Sequence, residues 1–294
     1  LGGVKMFQFF ANIFGYLLDI INQFVNNYGL AIILFTAIIK LIMLPLSIKQ
    51  QRSMKKNVEL QEKLKVIQFK YKNDPEKLNK ETMDLYKQEK MSPFSGCFSA
   101  IIQFILLISI FYMVRFPLTY MEKVDKTKID TYTQQIKDAG MDVSQAYSEI
   151  DIIREIDFLR ENNPEDETLK NININMNFLG LDLSKIPQQN LADWTVYIIP
   201  ILYILSTFVS MRLTTSMQNT NKDKKELTDG ENKETERNEM EDAMAQSNKM
   251  MSWMMPIMSV SISLVAPLGL ALYWLVNNIL MIGERLVLNK VVKD

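Results

Sequence analysis

The sequence predicts an all-α polytopic membrane protein, and three features predict it. The first is charge segregation: residues 20–39, 91–114, 194–211 and 250–283 hold no Asp, Glu, Lys or Arg, although 23% of the 294 residues are charged. The second is length, because about 20 apolar residues at 1.5 Å rise cross the roughly 30 Å hydrocarbon core. The third is the run from Met250 to Gly283, too long for one crossing and suited to two short ones, with Pro267 and Gly269 at the turn. Five spans result: 28–48, 95–114, 194–212, 250–266 and 268–288.

Ahead of the first span, residues 1–27 read as an external interfacial helix. Polar positions at Gln8, Asn12, Asp19, Asn22, Gln23 and Asn26 alternate with aromatics, which suits the headgroup layer better than the hydrocarbon core. No stretch reads as a secretory signal segment.

The first span, 28–48, carries the most informative residue of the chain, Lys40. A cation at such depth costs roughly 2.5 to 3.5 kcal/mol on insertion scales, so it usually faces water, a partner or a substrate. Snorkelling to the near membrane face is the alternative reading, since Ile48 is two helical turns on.

Residues 49–94 follow as a helical hairpin. Leu60, Leu64, Ile67 and Tyr71 recur at helical spacing, Asn73, Asp74 and Pro75 interrupt it, and Leu78, Thr82 and Leu85 resume it. Asp74 is placed to cap the second arm, with Pro75 at its first position. Twelve Lys or Arg in 49–90, against nine in the longer stretch 115–193, make the hairpin cytoplasmic by the positive-inside rule. Five spans then put the N-terminus outside and the C-terminus inside.

The second span, 95–114, begins near Cys97, the lone cysteine and a small packing residue. The connection 115–193 carries 15 acidic residues and reads as an external helical insertion, with helical spacing through Ile150, Ile153, Ile156 and Leu159 and a break at 162–164. The third span, 194–212, leads to a flexible cytoplasmic loop, 213–249, with few apolar residues. The fourth and fifth spans and a short tail, 289–294, complete the chain.

Several function classes are disfavoured. One Cys and no His leave no disulfide framework and no soft or imidazole ligand set, so no metal or cofactor is expected. An intramembrane hydrolase lacks an activating base or acidic pair within a span, and no enzymatic activity is expected. The tail is too poor in bases to grip nucleic acid, and no sequence-specific nucleic acid binding is expected.

Against that reading, several strings resemble the YidC family of membrane protein insertases, in the form found in bacteria with a single membrane. They are TAIIKLIMLPLSIKQQRSMK at 36–55, LYKQEKMSPFSGCFSAIIQF at 85–104, NFLGLDL at 177–183, MMPIM at 254–258 and LALYWLVNN at 270–278. The resemblance covers all five spans in order. It implies five helices around a hydrophilic groove open to the cytoplasm and to lipid, and location in the bacterial plasma membrane. The family's groove Arg falls on Lys40, its groove Thr one turn earlier on Thr36, a Gln of the second span on Gln103, and its last-span aromatic on Trp274.

Three departures accompany the match. Lys replaces Arg and loses the planar fork that grips a carboxylate with two bonds. Two prolines usual in the second span appear as Ser99 and Ile105, and a Gln usual near the end of the third appears as Met211. The resemblance implies nascent membrane proteins as substrate, with the ribosome, the Sec translocon and membrane lipids as partners. A small transporter or ion pathway, and a lipid scramblase, use the same groove and remain alternatives.

Overall fold

The computed structural model describes residues 2–72, 74–89, 95–223 and 260–291. Most of the fourth expected span, with MMPIM, and most of the loop 213–249 lie outside them. Long helices dominate: α1 (Gly2–Val25), α2 (Tyr28–Lys70), α3 (Pro75–Gln88), α4 (Ser95–Arg115), α10 (Ile198–Asp223) and α11 (Leu268–Val291). Tyr28–Ser53, Trp194–Leu213 and Leu268–Leu288 are long and apolar enough to cross a membrane, and Ile101–Arg115 is a shorter apolar helix. The chain is an all-α polytopic membrane protein.

α1 stops because Asn26 takes a left-handed φ of 50°, a conformation Asn tolerates better than most residues. Asn27 then caps α2, its side-chain oxygen accepting from the Leu30 N–H at 3.0 Å. From there α2 runs 43 residues to Lys70, straight through Pro45. The missing N–H of one proline removes a single ladder bond, and nothing at 48–49 breaks the helix, so the first span and the first arm of the hairpin are one rod. The second arm starts as its residues dictate, with Asp74 accepting from the Lys77 N–H at 3.1 Å and Pro75 in the first turn. Leu60 and Leu85 are buried on the two arms, and Lys63 pairs with Glu89 beside them.

Residues 116–197 fold into a small cap. It contains α5 (Pro117–Tyr120), α6 (Lys126–Asp138), α7 (Ser148–Arg154), α8 (Ile156–Asn162), α9 (Glu167–Asn171) and a two-stranded ribbon, β1 (Asn177–Phe178) with β2 (Leu181–Asp182). Leu118, Ile136, Ile152, Leu159 and Leu169 are among its fully buried side chains. Polar anchors fix the frame: Glu149 accepts from the Thr119 N–H at 2.9 Å and hydroxyl at 2.6 Å, and Arg115 donates to the Ala146 carbonyl at 2.6 Å.

The cap is bolted to the helix ends. The Asn175 carbonyl accepts from the Tyr28 N–H at 3.0 Å, and the Lys185 and Leu183 carbonyls accept from the Leu268 and Gly269 N–H groups at 2.9 Å each. Asn22 and Asn27 donate to the Asn173 and Asn177 carbonyls at 2.9 and 2.7 Å. Backbone N–H groups that a helix start leaves open are thereby satisfied by the cap. Lys185 lies 2.8 Å from Asp193 and, together with the Thr195 hydroxyl and N–H, holds that carboxyl down at about 2. That contribution is complete above the ordinary carboxylate range and is lost only as pH falls through the lowered value.

Burial is uneven along the bundle. At the cap end, Tyr28, Ala31, Ile32, Phe35, Ile110, Met113, Val114, Leu270 and Ala271 form one core. Toward the hairpin, Thr36 is the last buried residue of the span on α2, and residues 37–50 are half-buried or exposed. α4 repeats the pattern, with Ser109 onward holding its buried positions and none at 101–108.

Gly15 sits where a Cβ would overlap the Tyr120 carbonyl, whereas a Cβ at Gly283 meets nothing within 4 Å. Gly15→Ala is therefore expected to lower thermal stability by about 1–3 kcal/mol through overpacking and to expose 116–193 to protease. Gly283→Ala is expected to leave stability within about 1 kcal/mol of the parent or to raise it. Thermal unfolding in detergent with limited proteolysis reads both.

Candidate functional site

Four residues were expected at the site, and the structure distributes them over three helices. Thr36 and Lys40 are one turn apart on the same face of α2. Thr36 is 2% exposed and turns its hydroxyl back to the Ile32 carbonyl at 2.6 Å, so its own helix satisfies it. Lys40 lies about 18 Å along α2 from Tyr28, at a rise of 1.5 Å per residue.

The ammonium of Lys40 is paired. Its Nζ lies 3.5 Å from Oε2 of Glu284 on α11, with the two side chains 20% and 13% exposed. The other carboxylate oxygen, Oε1, is buried with no hydrogen-bond partner. The sequence reading placed Glu284 inside the last span yet counted Lys40 as the isolated charge of the membrane region. The structure corrects this, and the signal was present: a carboxylate drawn inside a span needs a partner of opposite charge, and Lys40 is the cation of the first span.

Trp274 lies on α11 ten residues before Glu284, which places it roughly 15 Å away along the helix and about 80° around it. Its ring packs on Tyr203 of α10, centroids 6.2 Å apart and planes tilted by 35°. One turn on, Asn278 is 6% exposed and donates to Ser206 and Thr207 at 2.9 and 3.1 Å. Both hydroxyls donate in turn to the Tyr203 carbonyl. One side of α11 thus locks onto α10 through Trp274 and Asn278, and the adjacent side presents Glu284 to Lys40. Gln103 is exposed on α4, and among the described residues no hydrogen bond joins it to the other three.

A small cavity of about 10 Å³ lies at the cap end, lined in part by Tyr28, Arg115, Tyr147, Leu183 and Gly269. It belongs to the join between cap and helices rather than to Lys40. Lys40 and Glu284 are themselves mostly covered. Leu41 and Ile42 are exposed beside Lys40, and Gly283 is exposed beside Glu284. Chemically, the site offers a donor cation and an under-used carboxylate at the boundary between a packed half and an unpacked half. Among the described residues no group of side chains is arranged to hold a metal ion.

A family model described as "60Kd inner membrane protein" matches residues 20–294. Two curated relatives are named "Membrane protein insertase YidC". The one from Caldanaerobacter subterraneus subsp. tengcongensis is 45% identical over 101 residues, which is 34% of this chain and 49% of that protein. The one from Francisella tularensis subsp. novicida is 45% identical over 109 residues, which is 37% of this chain and 20% of that protein. The matches span half or less of the length of these relatives.

The Asn278 lock yields a prediction. Asn278→Leu preserves volume and removes both donors, and is expected to cost about 0.5–2 kcal/mol. Thermal unfolding of the purified protein checks it, and the Ser206→Ala, Thr207→Ala double variant is expected to reproduce the loss.

Proposed function

Because the chain belongs to the 60Kd inner membrane protein family, we propose that it is a membrane protein insertase, working through a hydrophilic groove that begins at Lys40. The observation that carries this reading is the position of Lys40, one turn past Thr36, where burial along α2 ends. A charge at that point meets water entering from the hairpin side and nothing from the cap side. The assignment of the hairpin to the cytoplasm, the cap to the outside and the protein to a bacterial plasma membrane with five spans rests on the basic residues of 49–90 and on the family.

A nascent helix must carry the polar residues at its outer end through hydrocarbon, where each unpaired polar group costs several kcal/mol. A hydrated groove reaching half-way shortens the dry passage to the packed cap half. Lys40 attracts acidic residues in the passing tail, and the attraction gains strength from the low local dielectric. Trp274 and Thr36 line the apolar limit of the groove, and Gln103 adds a polar side chain on α4. The apolar segment of the substrate then partitions sideways into lipid, and its transfer free energy drives the step. No bond is made or broken.

The basic hairpin suits contact with anionic headgroups, and with the ribosome or the Sec translocon, as the family implies. The exposed apolar residues Leu41 and Ile42 beside Lys40 suit a groove wall open to lipid.

The test is insertion of a single-span protein with a short acidic outer tail, by reconstituted protein in vesicles. Lys40→Arg is expected to retain insertion, because the charge remains, and Lys40→Ala to lose most of it per folded protein. Trp274→Phe is expected to insert normally and Trp274→Ser to be impaired, since the apolar limit matters more than the indole N–H. Full insertion by Lys40→Ala would remove the cation from the mechanism.

A further inference from the structure

The site holds a carboxylate that the insertion mechanism does not use. Glu284 reaches Lys40 from the neighbouring helix, and three details of their contact bear on what it does. The contact is an ion pair at 3.5 Å, longer than the roughly 2.7–2.9 Å of a charge-assisted hydrogen bond. Its second oxygen is buried and unpaired, which is costly for a carboxylate. The adjoining Gly283 is exposed, and a Cβ there would touch nothing within 4 Å, so the pair lies next to an open stretch of the surface of α11.

From these we propose that Glu284 is a specificity-determining residue. In the empty protein it is the counter-ion of Lys40, and an incoming acidic tail must compete with it for the ammonium. The inference rests on the groove reading above and deepens it.

The physics favours a competitor of this kind. An ammonium without a partner at mid-membrane is expensive, and a resident carboxylate removes much of that cost. A short, two-bond grip would hold too tightly to exchange. Lysine offers a point charge with three rotatable donors rather than a fork, and its loose contact leaves donor capacity for a second acceptor. The pair therefore admits polypeptide while damping attraction, so that a tail needs enough negative charge to displace Glu284. Arg285, the next residue, also interacts electrostatically with Glu284.

Glu284 also affects how Lys40 variants are read. Removing Lys40 alone strands a largely buried carboxylate, which by itself is destabilising. The double variant Lys40→Gln, Glu284→Gln removes the cation without that penalty.

The experiment compares two single-span substrates that differ only in outer tails bearing Asp or the matching Asn, and reads the ratio of their inserted fractions. The parent protein is expected to favour the Asp tail. Glu284→Gln is expected to raise that ratio by about threefold or more, since the competitor is gone and the cation remains. Glu284→Asp, with the carboxylate drawn back by one methylene, is expected to fall between the two and guards against a folding defect in the Gln variant. The double variant is expected to bring the ratio to one.

If Glu284→Gln and Glu284→Asp both reach the membrane at parental levels and leave the ratio unchanged while the double variant abolishes it, the groove cation stands and the competitor role is overturned. If the double variant keeps the parental ratio, the groove reading itself fails and takes this inference with it.

Discussion

An ammonium inside an apolar helix needs partners, and the architecture follows from where those partners can come from. On the cap side of Lys40, α2, α4 and α11 close around Tyr28, Ile32, Phe35, Met113 and Ala271. On the hairpin side α2 buries no residue over 37–50 and α4 none over 101–108. In the proposed groove, hydration of the charge is one-sided. Glu284 reaches the ammonium from α11 at 3.5 Å.

The closed end depends on the cap. Helix starts expose N–H groups that in lipid would be costly, and at this end they meet the carbonyls of Asn175, Leu183 and Lys185. Close approach is then enforced by small residues, with Gly15 under Tyr120 and Gly29 under Phe178. The ribbon that bears Phe178 turns through Leu179 and Gly180, both with positive φ, as a two-residue hairpin loop requires. The string NFLGLDL, matched by resemblance alone, thus has a physical role: its ring fills the notch at Gly29 and its following carbonyls receive the start of α11.

What was legible in the sequence was whatever local chemistry decides. Asp74 and Pro75 announced the start of α3, Asn163 and Pro164 the end of α8, and charge segregation the apolar helices. Two things were not legible. The helix through residue 48 does not end where the apolar stretch ends, because leaving the membrane changes the neighbours of a helix without breaking its ladder. The docking of the cap depends on hydrogen bonds between residues some 150 apart in the chain, such as Asn22 to Asn173 and Asn27 to Asn177, and no periodicity encodes them. Of the candidate site, Lys40 was found from its cost in lipid. Its partner Glu284 falls within the span 268–288 but beyond the uncharged run 250–283, and charge segregation alone does not pair it with a cation on another helix.

The central claim is that water reaches Lys40 from the hairpin side and stops there. Single cysteines placed along residues 32–44, in a Cys97-free background, and treated with a membrane-impermeant thiol reagent test it most directly. Labelling from the hairpin side at positions of the Lys40 face, ceasing at Thr36, and absent from the cap side, is the predicted result. Protection of every position in 37–44 from the hairpin side, or labelling from the cap side, would contradict it.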